Sequence, residues 1–244
     1  MKKLIALFAV VLLPVTGMAN EGNIKLDKAN IDVSNHAAIQ RGAKLFVNYC
    51  MGCHSAKYVR FKQLTKVGLT EAQVKDNLMF AGGKIGDHMT IAMSPDDAAK
   101  WFGAPPPDLT LEARIRGADW IYTYLRSFYT DPSRPMGVNN KVFHNVGMPN
   151  ILGSLQGVQH PVYEEVKHGD KTEQVLEGLE LVEPGSMTPA EFDADVRDLT
   201  TFLAYSAEPI QLERQHLGVW VTLFLVVLFV LAYMMKKEWW KDIH

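Results

Sequence analysis

Cysteine is nearly absent from this chain: two of 244 residues, Cys50 and Cys53, both inside the run "NYCMGCHSAKY". So few thiols exclude a disulfide framework, which spreads four or more cysteines along a small domain. Basic excess is also missing. With 25 lysines and arginines against 27 acidic residues, net charge is −2, and nucleic-acid binding, which needs a positive field, is excluded. There is no internal repeat and no low-complexity tract, so solenoids and linkers drop out. Strand signals are scarce and short, which speaks against a sandwich or barrel and for a mainly α chain.

Long apolar runs occur at the two ends alone. Residues 1–19 place Lys2 and Lys3 before an apolar stretch from Leu4 to Val15 and small residues at Gly17 and Ala19. That order predicts an export signal, too short to span a bilayer. From Leu217 to Met235 no residue is charged, and Trp220, Tyr233, Trp239 and Trp240 flank the run as interfacial aromatics do. A single anchor is expected over 211–236, with 237–244 as a tail. Lys236, Lys237 and Lys241 put that tail in the cytoplasm and residues 20–210 in a bacterial periplasm.

Between the ends, helices are marked by caps and by apolar residues at helical spacing. Ser34 is expected to cap a helix over about 36–49 with Ile39, Ala43 and Phe46 on one face. Thr70 with Gln73, and Thr188 with Glu191, form capping boxes; the second opens a helix over about 189–206. Ser94-Pro95 opens a short helix closed by Gly103, and Asp119 opens another. The stretches 82–87, 103–107 and 130–157 read as loops. So much loop needs something besides secondary structure to fill the centre, and a large flat apolar cofactor would do that.

Three chemistries use Cys-x-x-Cys. A thioredoxin-like site belongs at a helix start in a βαβ unit, whereas here the motif ends a helix. Structural zinc needs four ligands, and no second Cys or His pair exists at matching spacing. Haem c needs Cys50, Cys53 and His54 and nothing more: two thioethers to the vinyl groups and an imidazole on the iron. The expectation is one covalent haem. The sixth iron ligand decides between electron transfer and open-site chemistry such as peroxidase or gas-sensor function. Residue pattern leaves Met148, Met136, His144 and His160 as candidates. Met148 is favoured by its flanking Gly147 and Pro149, which hold the backbone extended and allow close approach to a flat ring.

The run from Ala92 to Leu125, "AMSPDDAAKWFGAPPPDLTLEARIRGADWIYTYL", resembles the centre of the cytochrome c1 family. So do "CMGCHSAKY", "NVGMPN", "FLAYSAEP" and the single C-terminal anchor. The resemblance implies a mainly α, class I-like cytochrome c domain with long loops around haem, on one membrane helix. It implies Met148 as sixth ligand and Arg116 on a haem propionate, with Arg114 two residues away. It also implies Pro106 and Pro107 at the haem edge. The implied partners are a cytochrome b subunit, a Rieske iron–sulfur protein and a soluble periplasmic cytochrome c. After Met148 the chain departs from the shorter proline-rich stretch of mitochondrial members. An anchored cytochrome c serving another oxidase or reductase is the neighbouring alternative. The acidic stretch holding Glu164, Glu165, Glu173, Glu177, Glu180 and Glu183 is expected to be solvated surface or a steering patch for a basic partner.

Overall fold

The computed structural model describes residues 24–168 and 171–243. The expected export signal over 1–19 lies outside the described residues. Helix α1 (His36–Leu45) is capped by Asn35, whose side chain accepts from the Ala38 amide, and not by Ser34. Ser34 instead closes a local turn on Asp32. The helix then widens into a π turn, Phe46–Cys50, in which the Met51 amide reaches back to the Phe46 carbonyl. Such a turn inserts a residue into the helical register and redirects the chain, a device common at functional sites. Cys50 is its last residue.

The long C-terminal helix of the domain, labelled α7 here in chain order, spans Pro189–Ala207 behind the Thr188–Glu191 capping box. It crosses α1. Phe46 and Phe202 meet there with ring centroids 5.3 Å apart. Gly42 makes the crossing possible, since a Cβ on it would lie 2.1 Å from the Asp198 carbonyl oxygen and 2.7 Å from Phe202 Cβ. Ile39, Ala43, Val196, Leu199 and Phe202 are all buried around this contact. Beside it, Arg41 pairs with the buried Asp198.

Around this pair run β1 (Ala56–Arg60), a 3₁₀ segment (Phe61–Val67), α2 (Glu71–Leu78) behind Thr70, and β2 (His88–Met89), antiparallel to β1. Next come α3 (Pro95–Phe102), α4 (Glu112–Ile115) and α5 (Ala118–Arg126). Ser94 caps α3, and Gly103 ends it at φ 82°. Arg126 ties α5 to α7 through a two-point pair with Asp193, at 2.6 and 3.0 Å. Strands β3 (Phe128–Thr130) and β4 (Val138–Asn140) pair antiparallel across the loop 131–137, and α6 (Gly153–Gln156) precedes the largest departure from expectation.

That departure is β5 (Gly157–His168) paired antiparallel with β6 (Lys171–Pro184). The sequence predicts short, scarce strands; the structure has one long ribbon. Its acidic side chains Glu164, Glu165, Glu177, Glu180 and Glu183 are exposed. Gln159 fastens its base to β3 by donating to the Phe128 carbonyl at 2.9 Å. Finally α8 (Gln211–Trp239) follows α7 after three residues and is exposed from Leu212 onward. Its 29 residues make about 43 Å of helix, more than the ~30 Å hydrocarbon core. The fold is mainly α, with the ribbon as its β exception.

Candidate haem site

The attachment segment is a closed turn. Both the Cys53 and His54 amides donate to the Cys50 carbonyl, at 3.0 and 2.8 Å, so the two sulfurs and the imidazole leave one short loop together. Both cysteines are free thiols. Burial, assisted by Cys53, pushes the Cys50 thiol up to about 12, so it stays protonated at neutral pH. That is the opposite of the lowered pKa a redox or nucleophilic cysteine requires.

His54 is fixed by its second nitrogen. Nδ1 lies 2.7 Å from the Pro107 carbonyl oxygen. A carbonyl only accepts, so Nδ1 carries the proton and Nε2 presents its lone pair. Burial also lowers the His54 pKa, keeping the ring neutral and fit to ligate. The Pro107 carbonyl is itself held. Leu109 donates to the Ser55 carbonyl at 2.8 Å, and the Asp108 carboxylate accepts from Lys57 at 2.8 Å and from Thr110 at 3.0 Å. The strap Pro107–Thr110 is thus laced to Ser55–Tyr58. Asp108 was not singled out from the sequence, although its place in Pro-Pro-Asp-Leu signals a turn residue.

A stripe on α5 links two further candidates. Trp120 and Tyr124 are four residues apart on α5, hence on one helical face, and Arg116, which ends α4 just before the turn at Gly117, reaches the same side. The Arg116 guanidinium sits 4.7 Å from the Trp120 ring centroid and 5.8 Å from that of Phe143. Its Nε is 3.7 Å from Glu112. Trp120 stacks on Tyr124 with centroids 5.0 Å apart, and the Tyr124 hydroxyl donates to Met148 Sδ at 3.3 Å. Arg114 points elsewhere, to Glu208 at 3.1 Å.

The Met148 loop hangs on two asparagines the sequence reading passed over. Asn140 is fully buried; it donates to the Tyr124 carbonyl at 2.8 Å and accepts from the Val142 and Phe143 amides. Asn139 accepts from the Asn145 amide at 2.9 Å and donates to Asp131. Nothing in "VNN" distinguishes these residues from ordinary turn asparagines. Met136 and His144 are exposed in the same loop, and His160 is exposed on β5.

The donor set fits haem c. Two adjacent free thiols, an imidazole with Nε2 available and a thioether are what thioether attachment and six-coordinate iron need. Leu111, Ile115 and Phe143 are large apolar side chains left at the surface, and Phe143 lies edge-on to Trp120 at 6.5 Å, which suits a flat apolar face. Zinc fits poorly, since no group of three or more metal-ligating His, Cys, Asp or Glu side chains occurs among the described residues. A 440 Å³ groove between α1 and α2, lined partly by Gln40, Lys44, Gln73 and Phe80, includes none of the candidate ligands.

The Cytochrome C1 family model matches residues 28–243. The chain belongs to that family. It is 51% identical to cytochrome c1 of Allochromatium vinosum over the full length of both chains. It is 43% identical to a Nitrosomonas europaea protein named ammonia monooxygenase gamma subunit, covering 98% of this chain and 97% of that one. Mitochondrial cytochrome c1 of Saccharomyces cerevisiae is 28% identical over 86% of this chain and 68% of its own. As a cytochrome c1 the chain is a haem c electron-transfer subunit of the bc1 type, with one candidate membrane-spanning helix among the described residues as anchor.

Proposed function

We propose that this cytochrome c1 relays single electrons from a Rieske iron–sulfur protein to a soluble periplasmic cytochrome c, beside a cytochrome b subunit. Cys50 and Cys53 would hold the haem as thioethers, and His54 Nε2 and Met148 Sδ would coordinate its iron. Haem c supplies the one-electron chemistry when bound. The observation that carries this reading is the commitment of His54 Nδ1 to the Pro107 carbonyl. It fixes tautomer and ring orientation, and raises the basicity of the nitrogen left for iron.

The remaining residues have positioning roles. Arg116 serves a propionate, which suits a guanidinium able to grip carboxylate by two parallel hydrogen bonds. Its stacking on Trp120, which in turn stacks on the Tyr124 that reaches Met148, supports Arg116 over Arg114. Pro106 and Pro107 line the haem edge, with the Pro107 carbonyl having the additional task described above. A methionine on the sixth position excludes exogenous ligands and raises the potential, as an electron carrier needs and a peroxidase does not. Lys236, Lys237 and Lys241 at the end of α8 support a cytoplasmic C-terminus and a periplasmic haem domain.

Two measurements test this. Met148→Leu keeps the side chain's size and loses the donor. The haem should stay attached through denaturation, and the reduced protein should bind carbon monoxide and show a lower potential. Met136→Leu should change neither property. The reverse pattern sinks the ligand assignment. Gentle purification from membranes should bring down cytochrome b and Rieske subunits. The 43% identity to a protein named for ammonia monooxygenase supports a second reading, the same relay in another membrane oxidoreductase. Co-purification with a different complex would establish it.

A further inference from the structure

The structure orients the Tyr124 side chain more tightly than packing requires. Its ring stacks on Trp120 at 5.0 Å and 9°, and meets Phe128 edge-on at 5.2 Å and 70°. Its carbonyl accepts from the buried Asn140 at 2.8 Å, so ring and backbone are both pinned. Trp120 is in turn covered by the Arg116 guanidinium, which closes the outer end of the stack. A tyrosine ring held between two aromatics has little freedom to re-aim its hydroxyl. That hydroxyl ends 3.3 Å from Met148 Sδ. The family assignment and the Gly-Met-Pro pattern say nothing of this residue.

We propose that Tyr124 is a positioning residue that donates a hydrogen bond to the ligand sulfur and thereby raises the reduction potential of the haem. The inference rests on Met148 being the sixth ligand. Its physical basis is the competition for sulfur lone-pair density. A thioether is a weak acceptor, and a hydrogen bond drawn from it leaves less density for iron. Ferric iron, with the higher charge, loses more by this than ferrous iron. Donation therefore favours the reduced state. Hydrogen bonding to axial ligands is one of the few levers a protein has on a haem potential.

The test uses the full-length, haem-loaded protein and four forms: the parent, Tyr124→Phe, Met148→Leu and the double variant. Phenylalanine keeps the stacking on Trp120 and removes the hydroxyl alone. Tyr124→Phe should keep the ferric sulfur-to-iron charge-transfer band and remain closed to carbon monoxide, while its potential falls in redox titration. In the Met148→Leu background the same change should leave the potential unmoved, because there is no sulfur to act on. An unchanged potential for Tyr124→Phe in the parent overturns the proposal. So does an equal shift in both backgrounds, which would mean the hydroxyl acts through space rather than through sulfur. Loss of the charge-transfer band in Tyr124→Phe overturns it as well, because the hydroxyl would then be holding the ligand in place. Met148→Leu retaining the band and refusing carbon monoxide would remove the ligand assignment itself, a failure read in a different protein from the others.

Discussion

At the scale of single residues, the chemistry here depends on groups whose second valence is already occupied. Asn140 is the clearest test of that dependence. It is fully buried and serves the Tyr124 carbonyl, two amides and the Ser127 hydroxyl at once. Asn140→Ala would strand those partners away from water, and buried groups left unpaired cost ~1–3 kcal/mol each. The variant should lose about 3 kcal/mol in urea unfolding and bind carbon monoxide as its Met148 loop loosens. A loss under about 0.5 kcal/mol with no carbon monoxide binding would mean the network is dispensable. The residues proposed to hold the haem could be named from the sequence: Cys50, Cys53 and His54 by spacing, and Met148 by its glycine and proline neighbours and by the family resemblance. The residues that hold them could not. Asp108, Tyr124 and Asn140 act through contacts 16 to 51 residues away in sequence, as between Asn140 and Tyr124 or Asp108 and Lys57, and no local pattern encodes such a partner; Asn139 works at shorter range, six residues from Asn145 and eight from Asp131.

At the scale of elements, the α1–α7 crossing is set by one missing side chain. Gly42→Ala would push a methyl to 2.1 Å from a backbone oxygen of α7, which no rotamer change relieves. The helices must separate, at the upper end of the ~1–3 kcal/mol range for overpacking or beyond it. A shift of the unfolding midpoint should report it, and an unshifted midpoint would show that the crossing tolerates displacement. Helices with side-chain caps were readable because Thr70, Ser94 and Thr188 declare themselves locally. At α1 the choice of Asn35 over Ser34 turned on a preceding turn that draws Ser34 to Asp32. The β5–β6 ribbon escaped for three physical reasons. Pro161 interrupts the run, tolerated because both strands of a two-stranded ribbon are edges. Two register shifts break the period-2 pattern, between Val158 and Gln159 and between Val162 and Tyr163. Apolar side chains such as Val162, Tyr163, Val175 and Leu181 stay exposed, so no buried face imposes alternation.

At the scale of the whole molecule, the haem domain meets its anchor at Glu208. Arg214 and Arg114 both pair with its carboxylate, and together they hold it below the usual range for glutamate. A carboxyl lowered on folding favours the folded state above its ordinary value of ~4.3, and that contribution disappears as pH falls through the lowered value. The joint should therefore be fully paired at neutral pH and open in acid. Glu208→Gln in bilayer discs should speed proteolysis between α7 and α8 at pH 7 without altering the haem spectrum; an unchanged cleavage rate would show the pairs to be idle. Reporter fusions address the orientation. One active only outside the cytoplasm should work before Gln211, and one active only inside should work after His244; the opposite pattern reverses the proposed topology. Three residues between helices reach at most ~11 Å even fully extended, and two arginines shorten the play further. On the proposed reading the iron would stand at a set height above the lipid, like a contact mounted on a post. A relay with one fixed contact needs its travelling parts elsewhere, so on that reading the speed of the circuit through this chain would be governed by how quickly its proposed neighbours arrive and leave.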